Sequence, residues 1–334
     1  MNFAAIGRVF APLALALAAT VPAHANDGAF ESEFDTVLGT DIRAPRDFTQ
    51  DISGPFERQI AQLADGSAGR IGVAAVDLST GREISILGDQ RFPMASTSKI
   101  AIAATYLEGV DQGRWTLTRE LPLMVPLSSK PFSSKTAPVK PGQYLPAGEL
   151  LTLMLTRSSN SATDALLAAV GGPGVVNEWA RRAGIANFDL TRDIATLVRD
   201  DGEFDPATYV DIRDSATPRD MVRLLTGLYQ GKWLSRPSRD LLISTMEHCR
   251  TGTRRIPALM PDNVTIAHKT GSLNNTSSDV GIISMPDGRT FAVAIYVTGQ
   301  GSKARREAKI ASIARALYDG YGADSGTVLA SARY

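Results

Sequence analysis

Residues 279–298 read DVGIISMPDGRTFAVAIYVT, two apolar runs separated by a turn. The runs 279–285 and 290–298 have the length and the β-branched content of strands, and Pro286-Asp287-Gly288 between them is typical of a hairpin turn. A further strand is predicted just before them, at 264–269. This end of the chain therefore predicts antiparallel strands.

A second group of strand-like runs lies near the other end, at 71–78 and 83–87, joined by Ser79-Thr80-Gly81-Arg82. Between the two groups the apolar period changes to that of helices. The predicted helices are 56–63, 99–106, 149–155, 162–170, 177–183, 218–229 and 303–318. We expect an α/β (α+β) fold, with an antiparallel sheet formed by the N- and C-terminal segments, flanking helices and an inserted all-helical domain.

The N-terminus has the features of an export signal. Arg8 precedes an apolar run over 9–21, which is too short to span a bilayer, and Ala23-His24-Ala25 matches a cleavage pattern. We expect cleavage after Ala25, no stable membrane anchor and a periplasmic or secreted product. The predicted segments are a signal peptide (1–25), an N-terminal extension (26–51), a sheet-containing domain (52–90 and 250–320), a helical domain (91–249) and a C-terminal tail (321–334).

Composition excludes several functions. Lys plus Arg and Asp plus Glu both number 35, so no basic surface for nucleic acid is expected. Three His and one Cys make a metal site improbable and exclude an internal disulfide. We therefore expect no metal and no cofactor, and nucleophilic chemistry that depends on Ser, Lys or carboxylates. Nothing such as a heptad pattern argues for assembly, so a monomer is expected.

Ser96 and Lys99 stand three residues apart at the start of a predicted helix. Residues at this spacing share a helix face, so the Lys99 amine can reach the Ser96 hydroxyl. A lysine whose pKa is lowered by burial can take the proton of a serine and make it a nucleophile.

Two further motifs accompany this pair. Ser158-Ser159-Asn160 falls between two predicted helices, and Lys269-Thr270-Gly271-Ser272 ends a predicted strand, where Gly271 lets a substrate lie close. The three motifs, in this order, match those of the penicillin-interacting serine enzymes. Over about 52–318 the chain resembles the class A serine beta-lactamases and related penicillin-recognising hydrolases.

The resemblance implies a role for each motif residue. Ser96 would be acylated, and Lys99 would act as general base, directly or through water. Ser158 would pass a proton to the departing ring nitrogen, Asn160 would bind the acylamino side chain of the substrate, and Lys269 would hold Ser158.

The resemblance also implies a substrate-binding set. Thr270 and Ser272 would bind the substrate carboxylate beside Gly271, and the backbone N–H groups of Ser96 and Ser272 would form the oxyanion hole. Arg255, 14 residues before Lys269, is a further candidate for the carboxylate, and the adjacent Arg254 could serve instead.

The chain departs from class A enzymes where deacylation is concerned. Their Glu-x-x-Leu-Asn pattern is missing between 183 and 217, where Glu203 is the only glutamate and the candidate base. Ser159 replaces the usual Asp of the second motif, and Asp164 stands where Asn is frequent. We hypothesise that these two changes compensate one another.

Three functions stay open at this stage. The first is a beta-lactamase-like hydrolase acting on a small beta-lactam, and the second is a peptidase acting on D-Ala-D-Ala-like peptidoglycan fragments. The third is a beta-lactam-binding protein that is acylated once and stays acylated. Outside the motifs, His268 is predicted to point away from Lys269 and to pack or face solvent. Cys249 beside His248 is expected to be a free thiol.

Overall fold

A computed structural model describes residues 42–43 and 54–331 of the chain. The strands are β1 (Ile42–Arg43), β2 (Ile71–Asp77), β3 (Glu83–Ile86), β4 (Phe92–Pro93), β5 (Glu120–Pro126), β6 (Val139–Pro146), β7 (Phe188–Asp189), β8 (Val210–Asp211), β9 (Ser215–Ala216), β10 (Thr265–Leu273), β11 (Thr276–Ser284) and β12 (Thr290–Thr298). The helices are α1 (Pro55–Leu63), α2 (Lys99–Asp111), α3 (Ala147–Thr156), α4 (Asn160–Val170), α5 (Pro173–Arg182), α6 (Ile194–Arg199), α7 (Pro218–Tyr229), α8 (Arg236–Glu247) and α9 (Lys303–Ser331), with 3-10 turns at Ala95–Ser98 and Ile256–Leu259.

The main sheet joins the two ends of the chain. Its five strands lie in the order β10-β11-β12-β2-β3, and all neighbours are antiparallel. The pairing of β12 with β2 places Val293 opposite Ala75 and so connects the N-terminal hairpin to the C-terminal strands. The predicted antiparallel sheet is confirmed.

The central strand β12 is buried on both faces, which explains its nearly continuous apolar sequence. Ala294 and Tyr296 belong to the core shared with the helical region, while Val293 and Ile295 belong to the core under α1 and α9. The side chains alternate between these two cores because successive residues of a strand point to opposite faces.

The region inserted between β3 and β10 is mainly helical, as expected. The predicted start of α7 is confirmed, since the Thr217 side chain accepts a hydrogen bond from the Asp220 N–H and Pro218 is the first helical residue. The region also contains strands, among them the hairpin β5–β6, where no strand was predicted. Pro141 and Pro146 weaken the strand pattern of β6, but a two-stranded hairpin tolerates proline because one edge of each strand is unpaired.

The ends of the chain differ from the expected segments. Helix α9 continues beyond 318 to Ser331, through most of the predicted tail. The predicted signal peptide lies outside the described residues, and so does the N-terminal extension apart from β1. In the part of the chain that the structure covers, no helix is both long and apolar enough to cross a membrane.

Candidate active site

Ser96 lies in the 3-10 turn that leads directly into α2. The turn is held by its own hydroxyls, since Thr97 Oγ1 donates to the Met94 carbonyl at 2.7 Å and Ser98 Oγ to the Ala95 carbonyl at 2.9 Å. Ala95 has a φ of 49°, a left-handed conformation that is uncommon outside glycine. The turn leaves Ser96 half-buried between two buried neighbours.

Lys99 is fully buried and points at the second motif. Its Nζ donates to Asn160 Oδ1 at 2.8 Å, to the Ser158 carbonyl at 2.9 Å and to Ser158 Oγ at 3.2 Å. Burial and the charge of Lys269 hold the pKa of Lys99 well below its ordinary value. Among the described residues no hydrogen bond joins Lys99 Nζ to Ser96 Oγ.

Ser158 occupies the turn between α3 and α4, with a φ of 57°. The next residue, Ser159, begins α4 by accepting a hydrogen bond from the Ala162 N–H. This turn directs Ser158 Oγ between two lysines, 3.2 Å from Lys99 Nζ and 3.0 Å from Lys269 Nζ. The first, second and third motifs therefore meet at one hydroxyl.

Lys269 is also fully buried, on β10. Its Nζ donates to Ser158 Oγ and, at 2.9 Å, to the Thr270 carbonyl. Burial lowers the pKa of Lys269 to about 8, and the negative charges of Cys249 and Asp279 limit the effect. Two charged lysines so close together in the protein interior would repel each other, so their simultaneous protonation is unfavourable in free energy.

Gly271 is required by a close approach between β10 and the turn that carries Ser96. A Cβ at this position would lie 2.4 Å from Ser278 Oγ, 2.7 Å from the Met94 carbonyl oxygen and 3.1 Å from Ala95 Cβ. Any side chain would push the strand away from the turn. The glycine thus sets the width of the site as well as giving access to substrate.

Arg255 lies behind the end of β10 and is only 3% exposed. Its guanidinium donates to the Gly271 and Ser278 carbonyls at 2.8 and 2.7 Å and to Ser272 Oγ at 2.7 Å, and it pairs with Glu307 at 3.2 Å. Ser272 itself is exposed. Arg255 therefore reaches the predicted carboxylate-binding residues through Ser272.

The loop after the second motif is anchored by two carboxylates. Asp164 accepts hydrogen bonds from the N–H groups of Ile194 and Ala195, at 2.7 and 2.9 Å, at the start of α6. Asp214 pairs with Arg192 at 2.6 Å. Burial raises the pKa of Asp164 to about 6, although its two amide donors oppose this.

Glu203 lies on the outer part of this loop. Its carboxylate accepts a hydrogen bond from Arg213 at 2.8 Å, and it lines a cavity together with Asp201 and Leu273. Within the described part of the chain, Glu203 makes no hydrogen bond to Ser96, Lys99 or Ser158. The structure does not bring it into the cluster that the three motifs form.

Other groups near the site had no sequence motif. Thr251 Oγ1 lies 2.6 Å from Thr270 Oγ1. His268 is buried, and its Nδ1 lies 2.9 Å from Asp279 Oδ1. Burial lowers the pKa of His268, but the charge and hydrogen bond of Asp279 outweigh this and raise it to about 10. Strand alternation predicted the face of His268, but nothing along the sequence indicated its partner. No cluster of three metal-ligating side chains occurs in the described ranges.

Known proteins resemble the chain over most of its length. A model of the beta-lactamase enzyme family matches residues 55–321. Beta-lactamase CTX-M-8 of Citrobacter amalonaticus is 30% identical over 270 residues, which cover 79% of this chain and 89% of that protein.

Two solved structures have the same fold. One is a variant of the last common ancestor of Gram-negative bacteria beta-lactamase class A, 32% identical, with a TM-score of 0.71 over 81% of this chain and all of its own. The other is a mutant of PBP-A, solved as an acyl-enzyme complex with penicillin G. It is 28% identical, with a TM-score of 0.68 over 80% of this chain and 96% of its own.

Proposed function

The chain belongs to the beta-lactamase enzyme family and is a class A serine beta-lactamase-like hydrolase, and we propose that it opens the beta-lactam ring through an acyl-enzyme on Ser96. The observation that carries the proposal is the contact of Ser158 Oγ with both Lys99 and Lys269, beside the Ser96 turn. The penicillin acyl-enzyme of the PBP-A mutant supports the same chemistry.

The proposed acylation moves one proton around this cluster. Burial and the charge of Lys269 lower the pKa of Lys99, and Lys99 Nζ, once it has lost a proton, takes the proton of Ser96 Oγ directly or through a water. The oxygen attacks the lactam carbonyl carbon, and the ring C–N bond breaks. Ser158 gives its proton to the departing nitrogen and is reprotonated by Lys99, which passes on the proton taken from Ser96.

The substrate is held by the edge of β10 and the second motif. Asn160 binds the acylamino group, and Thr270 and Ser272 bind the carboxylate. Arg255 places positive charge behind Ser272, which favours an anionic substrate. The backbone N–H groups of Ser96 and Ser272 stabilise the oxyanion, an effect worth roughly 3 to 4 kcal/mol per donor in other enzymes.

Deacylation needs a water and a base. Glu203 is the base that we propose from the sequence, and its bond to Arg213 would have to break or rearrange for it to act on a water near Ser96. The neighbouring Asp201, exposed on the same cavity, has a pKa raised by partial desolvation and is the natural comparison. Asp164, which we hypothesise to compensate for the serine at position 159, holds the start of α6 through its carboxylate.

We also propose that the protein is exported, cleaved after Ala25, and works as a monomer without cofactor. N-terminal sequencing of the protein recovered from the periplasm or the medium tests the cleavage site. A chain that begins at Met1 would refute it.

The central experiment compares Ser96→Ala with Ser98→Ala. Both remove one hydroxyl from the same turn, but Ser98 Oγ is committed to the Ala95 carbonyl. With a chromogenic cephalosporin and a fluorescent penicillin, we expect Ser96→Ala to lose turnover and adduct. Ser98→Ala keeps the nucleophile but weakens the turn, so it should still form the adduct, with slower turnover.

Other outcomes identify the alternatives. A long-lived adduct without turnover would refute the hydrolase and indicate a beta-lactam-binding protein. Cleavage of a D-Ala-D-Ala peptide by the protein before it is exposed to penicillin would then indicate a peptidase.

A further inference from the structure

A cavity of about 280 Å³ lies on the side of the main sheet that faces the helical region. Val76 of β2 and Glu83 of β3 line it from the sheet, and residues of α7 and of the segments 183–185 and 232–233 close it. In the sheet β2 is three strands away from β10, which carries Lys269, and at about 4.8 Å per strand this is a separation of roughly 14 Å. The cavity is therefore separate from the proposed active site.

One face of α7 forms a wall of this cavity, which we call the α7 cavity. Four residues of the helix line it, with the spacing i, i+3, i+4 and i+7 of a single helix face: Arg219, Val222, Arg223 and Thr226. Val222 is buried, whereas the side chain of Arg223 is 56% exposed. Arg223 and Thr226 are neighbours on the helix surface, so one bound group can contact both.

Trp233 gives the α7 cavity a rigid apolar wall. Its ring packs directly on Gly227 of α7, where any Cβ would collide with the ring. Its centroid lies 5.7 Å from that of the buried Trp179, in an edge-on arrangement. Because the ring is already fixed, a flat apolar group can bind against it with little loss of side-chain freedom. The volume is close to the smallest that is usual for small-molecule sites, about 300 Å³, and suits a ligand of one or two rings.

The rim of the α7 cavity carries an excess of positive charge. Arg219 pairs with Glu83, so these two charges offset each other. Arg223 uses only its Nη1 for Asp220, at 2.7 Å, and keeps further N–H donors. Lys232 is exposed, and within the described ranges it forms no ion pair. An anionic group at the rim would therefore meet an uncompensated positive charge.

A hydroxyl on the wall of the α7 cavity has no partner. Thr226 Oγ1 is shielded from solvent and makes no hydrogen bond to any residue that the structure describes. A helical threonine can donate to the carbonyl four residues earlier, as Thr105 does to Ala101 at 2.8 Å, but Thr226 does not. Buried hydroxyls are nearly always hydrogen-bonded. Thr226 is thus an independent indication that a polar ligand atom completes this wall.

We propose that the α7 cavity binds a small organic anion, namely a carboxylate or sulfonate on an apolar body of one or two rings. The rings lie against Trp233, and the anionic group lies at the rim with Lys232 and Arg223. An oxygen of the ligand accepts the hydrogen bond that Thr226 Oγ1 can donate. The site is independent of the proposed hydrolase reaction, since none of its residues belongs to the three motifs.

The test titrates the intact protein with two probes of the same shape, 4-(trifluoromethyl)benzoate and 4-(trifluoromethyl)benzamide, and follows the fluorine NMR signal. We expect a dissociation constant of about 1 mM or lower for the carboxylate, as is usual for a ligand of this size. The uncharged amide should bind at least about fivefold more weakly. Equal affinities would overturn the charge argument, and no binding of the carboxylate at about 10 mM would overturn the site.

Two variants locate the bound probe. Lys232→Met should weaken carboxylate binding by about fivefold or more, while Lys303→Met, which removes another exposed lysine, should leave it unchanged. Thr226→Val keeps the shape of the side chain but removes the hydroxyl. It should weaken binding by about threefold to tenfold and raise the Tm of the ligand-free protein, since an unpaired buried hydroxyl is lost. Unchanged affinity in Lys232→Met and Thr226→Val would place the probe elsewhere and overturn the proposal.

A third variant distinguishes the α7 cavity from the proposed carboxylate site of the substrate. Thr270→Val removes a hydroxyl from that site and should leave the affinity for the benzoate unchanged. Loss of binding in Thr270→Val, with binding kept in Lys232→Met, would place the probe in the active site and overturn the proposal. Lys232→Met should hydrolyse the cephalosporin as fast as the wild type. A protein that turned over no beta-lactam would refute the proposed function, while the benzoate titrations would still test the α7 cavity.

Discussion

Removing the buried charge of Lys269 should stabilise the folded protein but abolish its activity. The side chain has no exposed surface, and burial lowers its pKa from 10.5 to about 8. At 1.36 kcal/mol per pKa unit, keeping Lys269 charged costs the folded protein about 3 kcal/mol. This cost is complete below about pH 8, where the folded and the unfolded chain both hold the proton.

Lys269→Met removes the charge but keeps a side chain of similar length. It also removes the donor to Ser158 Oγ and to the Thr270 carbonyl, at roughly 1 kcal/mol for each lost hydrogen bond. We expect the variant to be about 1 kcal/mol more stable at neutral pH, a rise in Tm of about 2 to 4 °C. Turnover should be lost, because Ser158 loses one of its two lysines.

The pH dependence of stability tests whether the charge of Lys269 destabilises the folded protein. As pH rises from about 8 to 10.5, the folded wild type releases a proton that the unfolded chain still holds, so its stability increases. The stability curves of wild type and variant should cross near about pH 9, as measured by urea unfolding between about pH 6 and about pH 10. Lys303→Met, at an exposed position, is the control and should show no crossing. A Lys269→Met variant that is less stable at every pH would refute the reasoning.

Three further substitutions test the loop and the strand, with Asp201→Asn and Gly148→Ala as comparisons. Glu203→Gln should lengthen the lifetime of the penicillin adduct more than it slows acylation, whereas Asp201→Asn should not. The reverse order would move the base to Asp201, and no effect of either would exclude both. Asp164→Ala leaves two amides of α6 without acceptors and should lower the free energy of unfolding by about 2 kcal/mol in urea titrations; an unchanged value would contradict the anchoring role. Gly271→Ala should cost about 1 to 3 kcal/mol by thermal unfolding and reduce turnover, while Gly148→Ala, with 3.5 Å to its nearest neighbour, should do neither. Equal effects would mean that the close approach is unimportant.

Local patterns were sufficient for much of the fold. Thr217-Pro218 predicted the start of α7, and the helix begins there. The alternating and apolar runs predicted the strands of the main sheet to within a few residues. The hairpin β5–β6 was not predicted, because Pro141 and Pro146 resemble loop residues unless the unpaired edge is known.

The limits of sequence reasoning are clearest at the loop after the second motif. The family pattern requires a glutamate, and Glu203 is the only glutamate between 183 and 217. In the structure Glu203 accepts a hydrogen bond from Arg213, and Asp164 anchors the start of α6, 30 residues further along the chain. A hydrogen bond over such a separation depends on how the helices pack, which periodicity does not encode.

The sequence by itself determined where the strands of the main sheet lie along the chain and that a helical region is inserted between them. It also determined the three motifs that contain Ser96, Ser158 and Lys269. These are local properties, since propensity, periodicity and spacing act over a few residues. Only the tertiary structure decided that Ser158 Oγ lies between two lysines that are 59 and 111 residues away along the chain. Burial, and the pKa changes that it causes, depend on which distant segments exclude water together.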